Sequence, residues 1–225
     1  DYSDSKDELI MPIIEPYLIR YTQAQAGFTS TIEENVMYYT QNDTLLRLTD
    51  ELLSKKVVNG KVETILADTA VKLLNKIHQI ENGTVIFESG NSMILDKSKA
   101  EFIKSKFEGK KIALFYFFQK EYELLKAVFG DSLTNDLAEF QETNKCIALQ
   151  QNRGSEGISL KEAEAIVYYN FGYSGRQYTQ GRDRLTTIER EGNNVYFVIA
   201  KGGLNEKIYK AIKKKKQYNQ NLFKM

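Results

Sequence analysis

The sequence predicts an α/β fold built on a parallel sheet with helices on both faces. Three apolar runs carry this expectation: IALFYFF (112–118), AIVYYN (165–170) and NVYFVIA (194–200). Each has the length of a strand, and none alternates apolar with polar residues as a strand with one wet face would. Segments with helical spacing lie between them, the order that strand–helix–strand crossovers require.

The elements follow in chain order. DYSDSKDELI reads as a polar lead-in, and MPIIEPYLIRYT is interrupted by Pro12 and Pro16, which argues against one regular helix. NVMYYT (35–40) reads as a strand. Asn42 or Asp43 is placed to cap a helix in which Leu45, Leu48, Leu52 and Leu53 recur at helical spacing. VVNGKVETIL predicts a hairpin around Asn59-Gly60. Asp68 is expected to cap a helix with Val71, Leu74, Ile77 and His78 on one side.

From Glu88 the strand–helix alternation takes over. A helix is expected over 97–107, with Ala100, Ile103 and Phe107 on one face, then the strand 112–118 and a helix from Glu121 to Phe129. The strand CIALQQ (146–151) leads into the loop RGSEGISL (153–160). The strand 165–170, an arginine-rich helix near 175–185, the strand 194–200 and a last helix complete the chain, Leu204, Ile208, Ala211 and Ile212 striping that helix. The change at Glu88 divides a more helical N-terminal linking segment, 1–87, from an α/β lobe, 88–225.

Composition removes whole classes of chemistry. With Cys146 as the one cysteine and His78 as the one histidine, neither an internal disulfide nor a thiolate or imidazole metal centre is expected, nor a Ser-His-Asp triad. No apolar stretch approaches the roughly 18 residues a membrane helix needs. The opening residues do not read as a signal peptide, so a cytoplasmic location is expected. Abundant Lys, Asn, Ile and Tyr suggest an AT-rich bacterial or phage genome. Net charge is +1, which says nothing about partners, but the arginines are unevenly placed. Five of seven (Arg153, Arg176, Arg182, Arg184 and Arg190) fall within 153–190. Arginine supplies forked contacts to phosphate or carboxylate, so the cluster points to a site in that window.

Two segments there could carry chemistry. RGSEGISL follows a buried strand, where open α/β sheets bind ligands, and Gly154 and Gly157 would let backbone amides approach a phosphate. Read alone, the same glycines fit a turn that needs positive φ. In YSGRQYTQGRDRLTT, Gln177, Gln180 and Arg184 share one helical face, whereas Arg182 lies roughly 200° from Arg184. That face suits a polyanion, or equally a solvated, salt-bridged helix surface. Lys213 to Lys216 read as a soluble helix end favoured by the macrodipole. His78 reads as a packing or capping histidine, and Cys146 as inert core.

Taken in order, these segments resemble the second RecA-like lobe of superfamily-two helicases of the Swi/Snf DNA-translocase type. EPYLIRYT is similar to the segment following the first lobe, and DTAVKLLNKIHQI to the helix bearing a Leu-Arg-Gln signature. The run from ESGNSMILDKSKA to KAVF resembles the stretch from Ser-Gly-Lys to the motif IV strand. LQQNRGSEGISL matches motif V in length, with Gly154, Gly157 and Leu160 in register, although Ser155 and Ser159 replace a glycine and an asparagine. Tyr173 stands where the family has Trp, and Gln180, Asp183 and Arg184 match the motif VI core. The second arginine position is Thr187; anchored on Gln177 instead, Arg184 becomes the second arginine and Gly181 stands at the first. KGGLNEKIYKAIKKKK resembles the brace helix that follows.

The resemblance implies a RecA-like lobe of an ATP-dependent DNA helicase or translocase. It assigns Arg184, with Arg182 or Arg190 as possible partner, to the catalytic arginine role. Gln180, Gly157 and Glu156 go to ATP, and Gln151, Arg153, Gly154, Ser155 and Ser159 to the DNA backbone. No G-x-x-x-x-G-K-[S/T] loop and no acidic pair after a buried strand occurs, so ATP and Mg2+ would be held mainly by a first lobe. The expected partners are DNA and that lobe, and the chain alone is expected to be inert towards ATP. The competing class is a RecA-like lobe kept as a non-catalytic binding module for nucleic acid or protein.

Overall fold

A computed structural model of the chain describes residues 31–60, 63–151, 158–185 and 192–214, with isolated positions before them that include a 3-10 turn at Glu15–Tyr17. The strands are β1 (Thr31–Tyr39), β2 (Val57–Asn59), β3 (Thr64–Leu66), β4 (Thr84–Ile86), β5 (Ser92–Ile94), β6 (Ile112–Tyr116), β7 (Leu133–Thr134), β8 (Cys146–Gln150), β9 (Ala165–Tyr168) and β10 (Gly192–Ala200). The α-helices are α1 (Asp43–Lys55), α2 (Ala70–Glu81), α3 (Ser98–Lys106), α4 (Gln119–Phe129), α5 (Leu137–Glu142), α6 (Gly175–Arg182) and α7 (Leu204–Lys213).

Six strands form one sheet in the order β1-β10-β9-β6-β8-β7, every pairing parallel. The period-two geometry of β6 explains why its sequence is apolar throughout. Ala113 and Phe115 face one core, with Leu45, Leu52, Leu74, Ile77, Ile80, Ile208 and Ile212 of α1, α2 and α7. Ile112, Leu114 and Tyr116 face the other, with Ala100, Ile103, Leu124 and Leu125 of α3 and α4. Both faces are covered, as the solid apolar runs predicted. The segment before position 88 supplies helices α1 and α2 and also β1, which pairs along its length with β10. Position 87/88 lies inside the antiparallel β4–β5 hairpin.

Local signals account for most element ends. Asn42 caps α1 through its side-chain oxygen, which accepts from the Thr44 N–H at 2.8 Å. The hairpin around Asn59-Gly60 forms as expected, with Gly60 N–H donating to the Glu63 carbonyl. Three expectations are corrected. Thr69, not Asp68, caps α2, its hydroxyl accepting from the Lys72 N–H, while Asp68 pairs with the Lys72 ammonium at 3.1 Å. Val71 is 46% exposed, because the buried face of α2 runs through Leu73, Leu74, Ile77 and Ile80. The strand at 112 ends at Tyr116, since the Glu121 carboxylate of α4 takes the N–H groups of Phe117 and Phe118.

A buried polar network joins these elements where the helices meet the sheet. Glu81, at the end of α2, accepts from the Leu204 and Asn205 N–H groups that open α7. Asn82 donates to the His78 carbonyl and accepts from Lys99 at 2.6 Å and Asn205 at 3.0 Å. The hydroxyls of Tyr39 and Tyr169 donate to the carbonyls of Glu81 and Asn82. Asn170, after β9, donates to Glu121 at 2.6 Å, and its oxygen lies 2.7 Å from His78 Nε2. Burial pushes both carboxyls up and the Lys99 ammonium down, while their mutual attraction and the N–H donors oppose this. His78 is enclosed by Phe117, Phe118 and Tyr173, and burial lowers its imidazole to about 4, so it is a neutral packing residue as its sequence context suggested.

Lys99→Met should cost about 3–5 kcal/mol in urea unfolding, because it strips the compensating cation from two buried carboxylates; a loss below about 1 kcal/mol would show the network to be dispensable. His78 has its folded value at about 4 against 6.5 in the unfolded chain, so between these pH values the unfolded state binds more protons. Stability from this group is complete above the upper value and is lost as the pH falls through the window. The melting temperature of the wild type should therefore rise more steeply across it than that of His78→Gln, and equal slopes would refute the assignment.

Candidate functional site

The candidate site gathers three pieces of chain: the end of β8, the loop from β9 into α6, and the turn after α6. Gln151 stands immediately beyond β8 with its side chain fully buried, and its Oε1 accepts from the Gly172 N–H at 2.7 Å. Gln150 donates to the Phe117 carbonyl at 3.0 Å. The exits of β6, β8 and β9 are thus tied together by two glutamine amides. Gln151 faces inward as a connector. Arg153, Gly154, Ser155, Glu156 and Gly157 lie outside the described residues, and Ser159 is exposed.

Helix α6 begins where Ser174 supplies its hydroxyl to the Gln177 N–H and its carbonyl to the Tyr178 N–H. It packs closely on the sheet. Tyr178 stacks on Tyr168 and Phe197, and the Tyr168 hydroxyl donates to the Tyr178 carbonyl at 3.2 Å. A Cβ at Gly181 would stand 2.5 Å from that hydroxyl, so the helix can approach β9 only because residue 181 has no side chain. This is the position that one register of the arginine motif would assign to its first arginine, and no arginine fits there.

Arg182 and Arg184 diverge, as their spacing requires. Arg182 Nη1 meets Glu34 Oε1 of β1 at 3.1 Å. Arg184 lies in the 3-10 turn Asp183–Leu185, half-buried. Its Nη1 donates to the Ile158 carbonyl at 3.4 Å, and its own carbonyl accepts from the Leu160 N–H at 3.3 Å. The arginine-bearing turn is therefore attached to the segment at Ile158–Leu160. Gln180 is half-buried. Sequence reading missed Glu34, whose carboxylate also receives Tyr178 and Lys213. An acidic residue within a strand gives no sign of partners more than 140 positions away.

Cys146 is buried at the start of β8, its thiol pushed up by burial and donating to the Lys110 carbonyl, as its expected place in the core requires. Among the described residues, no cluster of three or more His, Cys, Asp or Glu groups is arranged to hold a metal ion. No helix among them is long and apolar enough to cross a membrane.

Comparison with solved structures gives the fold its place. The C-terminal part of the Fun30 ATPase domain superposes with a TM-score of 0.57 at 13% identity, covering 81% of this chain and 89% of that one. The Sulfolobus solfataricus SWI2/SNF2 ATPase core in complex with dsDNA gives 0.54 at 18% identity, over 96% of this chain and 51% of that one. The same core in a second structure gives 0.54 at 17% identity, over 97% and 50%. The chain has the RecA-like fold of a Swi2/Snf2 ATPase lobe. It spans about half the length of the two Sulfolobus cores. No protein-family model matches the sequence, and no curated protein does.

Gly181→Ala should destabilise the chain by about 1–3 kcal/mol through overpacking against Tyr168. Adding Tyr168→Phe, which removes the obstructing oxygen, should recover part of that loss. Thermal melts of the three variants check this, and a Gly181→Ala protein as stable as wild type would contradict the close approach.

Proposed function

We propose that the chain is the second RecA-like lobe of an ATP-dependent DNA translocase of the Swi2/Snf2 type. The observation that carries this reading is the attachment of the Arg184 turn to Ile158 and Leu160, which couples an arginine to the loop following β8. In an open α/β sheet such a loop is where phosphates bind. The shared fold supports the reading, and one of the Sulfolobus cores is in complex with dsDNA.

In this reading ATP lies between two lobes. The first lobe, in the same chain or another, holds the triphosphate and Mg2+. The second brings Arg184 to the γ-phosphate, where charge accumulates on the transferring phosphoryl group. A positioned arginine there is typically worth about 10³–10⁵ in rate, or roughly 4–7 kcal/mol of barrier. Gln180 orients or senses the nucleotide, with Gly157 and Glu156 beside it. Arg153, Gly154, Ser155 and Ser159 contact the DNA backbone without reading its sequence. Alone, the lobe does not hydrolyse ATP. A non-catalytic binding module is the competing reading, favoured by the engagement of Arg182 with Glu34 and by Thr187 at the second arginine position.

The deciding measurement is ATP hydrolysis by the complete two-lobe protein, with and without DNA, beside its Arg184→Ala variant. Turnover should be stimulated by DNA and fall by about 10³-fold or more in the variant, with DNA binding retained. Turnover within a few-fold of wild type would remove Arg184 from the reaction, and no turnover in the wild type despite tight DNA binding would favour the module.

A further inference from the structure

Glu34 is a 10% exposed carboxylate on the edge strand β1, and three donors converge on it. Two come from one face of α6, four residues apart: the Tyr178 hydroxyl at 2.5 Å from Oε2 and Arg182 Nη1 at 3.1 Å from Oε1. The third is Lys213 from the last turn of α7, 2.5 Å from Oε2. Glu34 itself sits opposite Val195 in the β1–β10 ladder, so its backbone is fixed by the sheet. Burial works against the charge, yet the hydrogen bonds from Lys213, Tyr178 and Arg182 hold the carboxyl below its ordinary range.

We propose that Glu34 is a positioning residue for the arginine turn: it fixes the roll of α6 on the sheet and so sets where Arg184 points, with Arg182 serving as its clamp and not as a second catalytic arginine. This role in turnover rests on the reading of the chain as an ATPase lobe, whereas the clamp itself does not. The geometry supports the division of labour. Arg182 reaches back to β1, Arg184 reaches the Ile158 carbonyl, and only Asp183 lies between them. A side chain fixed on one side of a helix end determines what its opposite side can reach. Against β9 the helix has close packing at Gly181 and one hydrogen bond, from the Tyr168 hydroxyl to the Tyr178 carbonyl, and Glu34 adds the side-chain contacts from the edge strand.

Two measurements test this separately. Hydrogen exchange on this chain reads the clamp: Glu34→Gln should speed exchange of amides 175–185 about tenfold while α3 and α4 keep their protection. Glu51→Gln, whose wild-type carboxylate pairs with the exposed Lys55, should change nothing there. Unchanged exchange at 175–185 in Glu34→Gln would overturn the proposal outright.

Steady-state kinetics of the complete ATPase read the consequence. Glu34→Gln should lower kcat roughly 10- to 100-fold, as expected for a misplaced catalytic group, with the KM for ATP within about twofold. Arg182→Lys, which keeps a cation for Glu34, should stay within a few-fold of wild type. Glu34→Gln combined with Arg182→Ala should be no worse than the more damaged single variant, because both remove the same contact. An Arg182→Lys loss as large as that of Arg184→Ala would overturn the proposal by making Arg182 a catalytic arginine. Should the complete protein hydrolyse no ATP at all, the functional reading fails and the exchange result alone decides the clamp.

Discussion

The carboxylate of Glu81 lies inside the molecule against the first amides of α7, where the positive end of the helix dipole compensates its charge. Around it, Asn82 is shared by Lys99 and Asn205, and two tyrosine hydroxyls close the adjacent carbonyls. Such a set of buried polar groups is tolerated only when every neighbour is in place. It therefore fixes the mutual arrangement of α2, α3, α7 and two strand ends more narrowly than apolar packing would. Gly203 fits this constraint, since a Cβ there would meet the Glu81 carboxylate at 2.5 Å.

The same principle operates at the site on a smaller scale. Gln150 and Gln151 bind the strand exits together through backbone partners, and Glu34 grips α6 from the edge strand. Side-chain amides and carboxylates here hold loops and helix ends at defined angles. Arg182 is held by one of them. By sequence it belongs to an arginine-rich motif; by contact it belongs to the scaffold.

The sheet was legible because parallel strands covered on both faces must be apolar at every position, and the runs at 112, 165 and 194 are. Apart from the six-residue α5, which was not foreseen, the helices were legible from spacing, and their caps nearly so. Thr69 and Asp68 are neighbouring side chains that both suit an N-cap, and only the backbone decides between them. At the site, the arginine cluster was visible as composition, and the divergence of Arg182 and Arg184 followed from helix geometry. What could not be read was what each of them contacts, because the answer depends on Glu34 and Ile158, placed by pairings distant in sequence. The inward turn of Gln151 was hidden for the same reason: its acceptor role exists only once Gly172 is brought beside it.

The parallel register of β1 with β10 matters for how the polypeptide is made. Thr31 pairs with Gly192 and Tyr39 with Ala200, so the edge strand has no partner in this sheet until β10, roughly 160 residues further on, has been synthesised. Contacts that span so much sequence are slow to form, since a long loop must close before they are rewarded. β9, β6 and β8 can assemble among themselves first, leaving β1 to dock last and α6 ungripped until it does. In a nascent chain, then, the aim of the arginine turn is among the last features to become native.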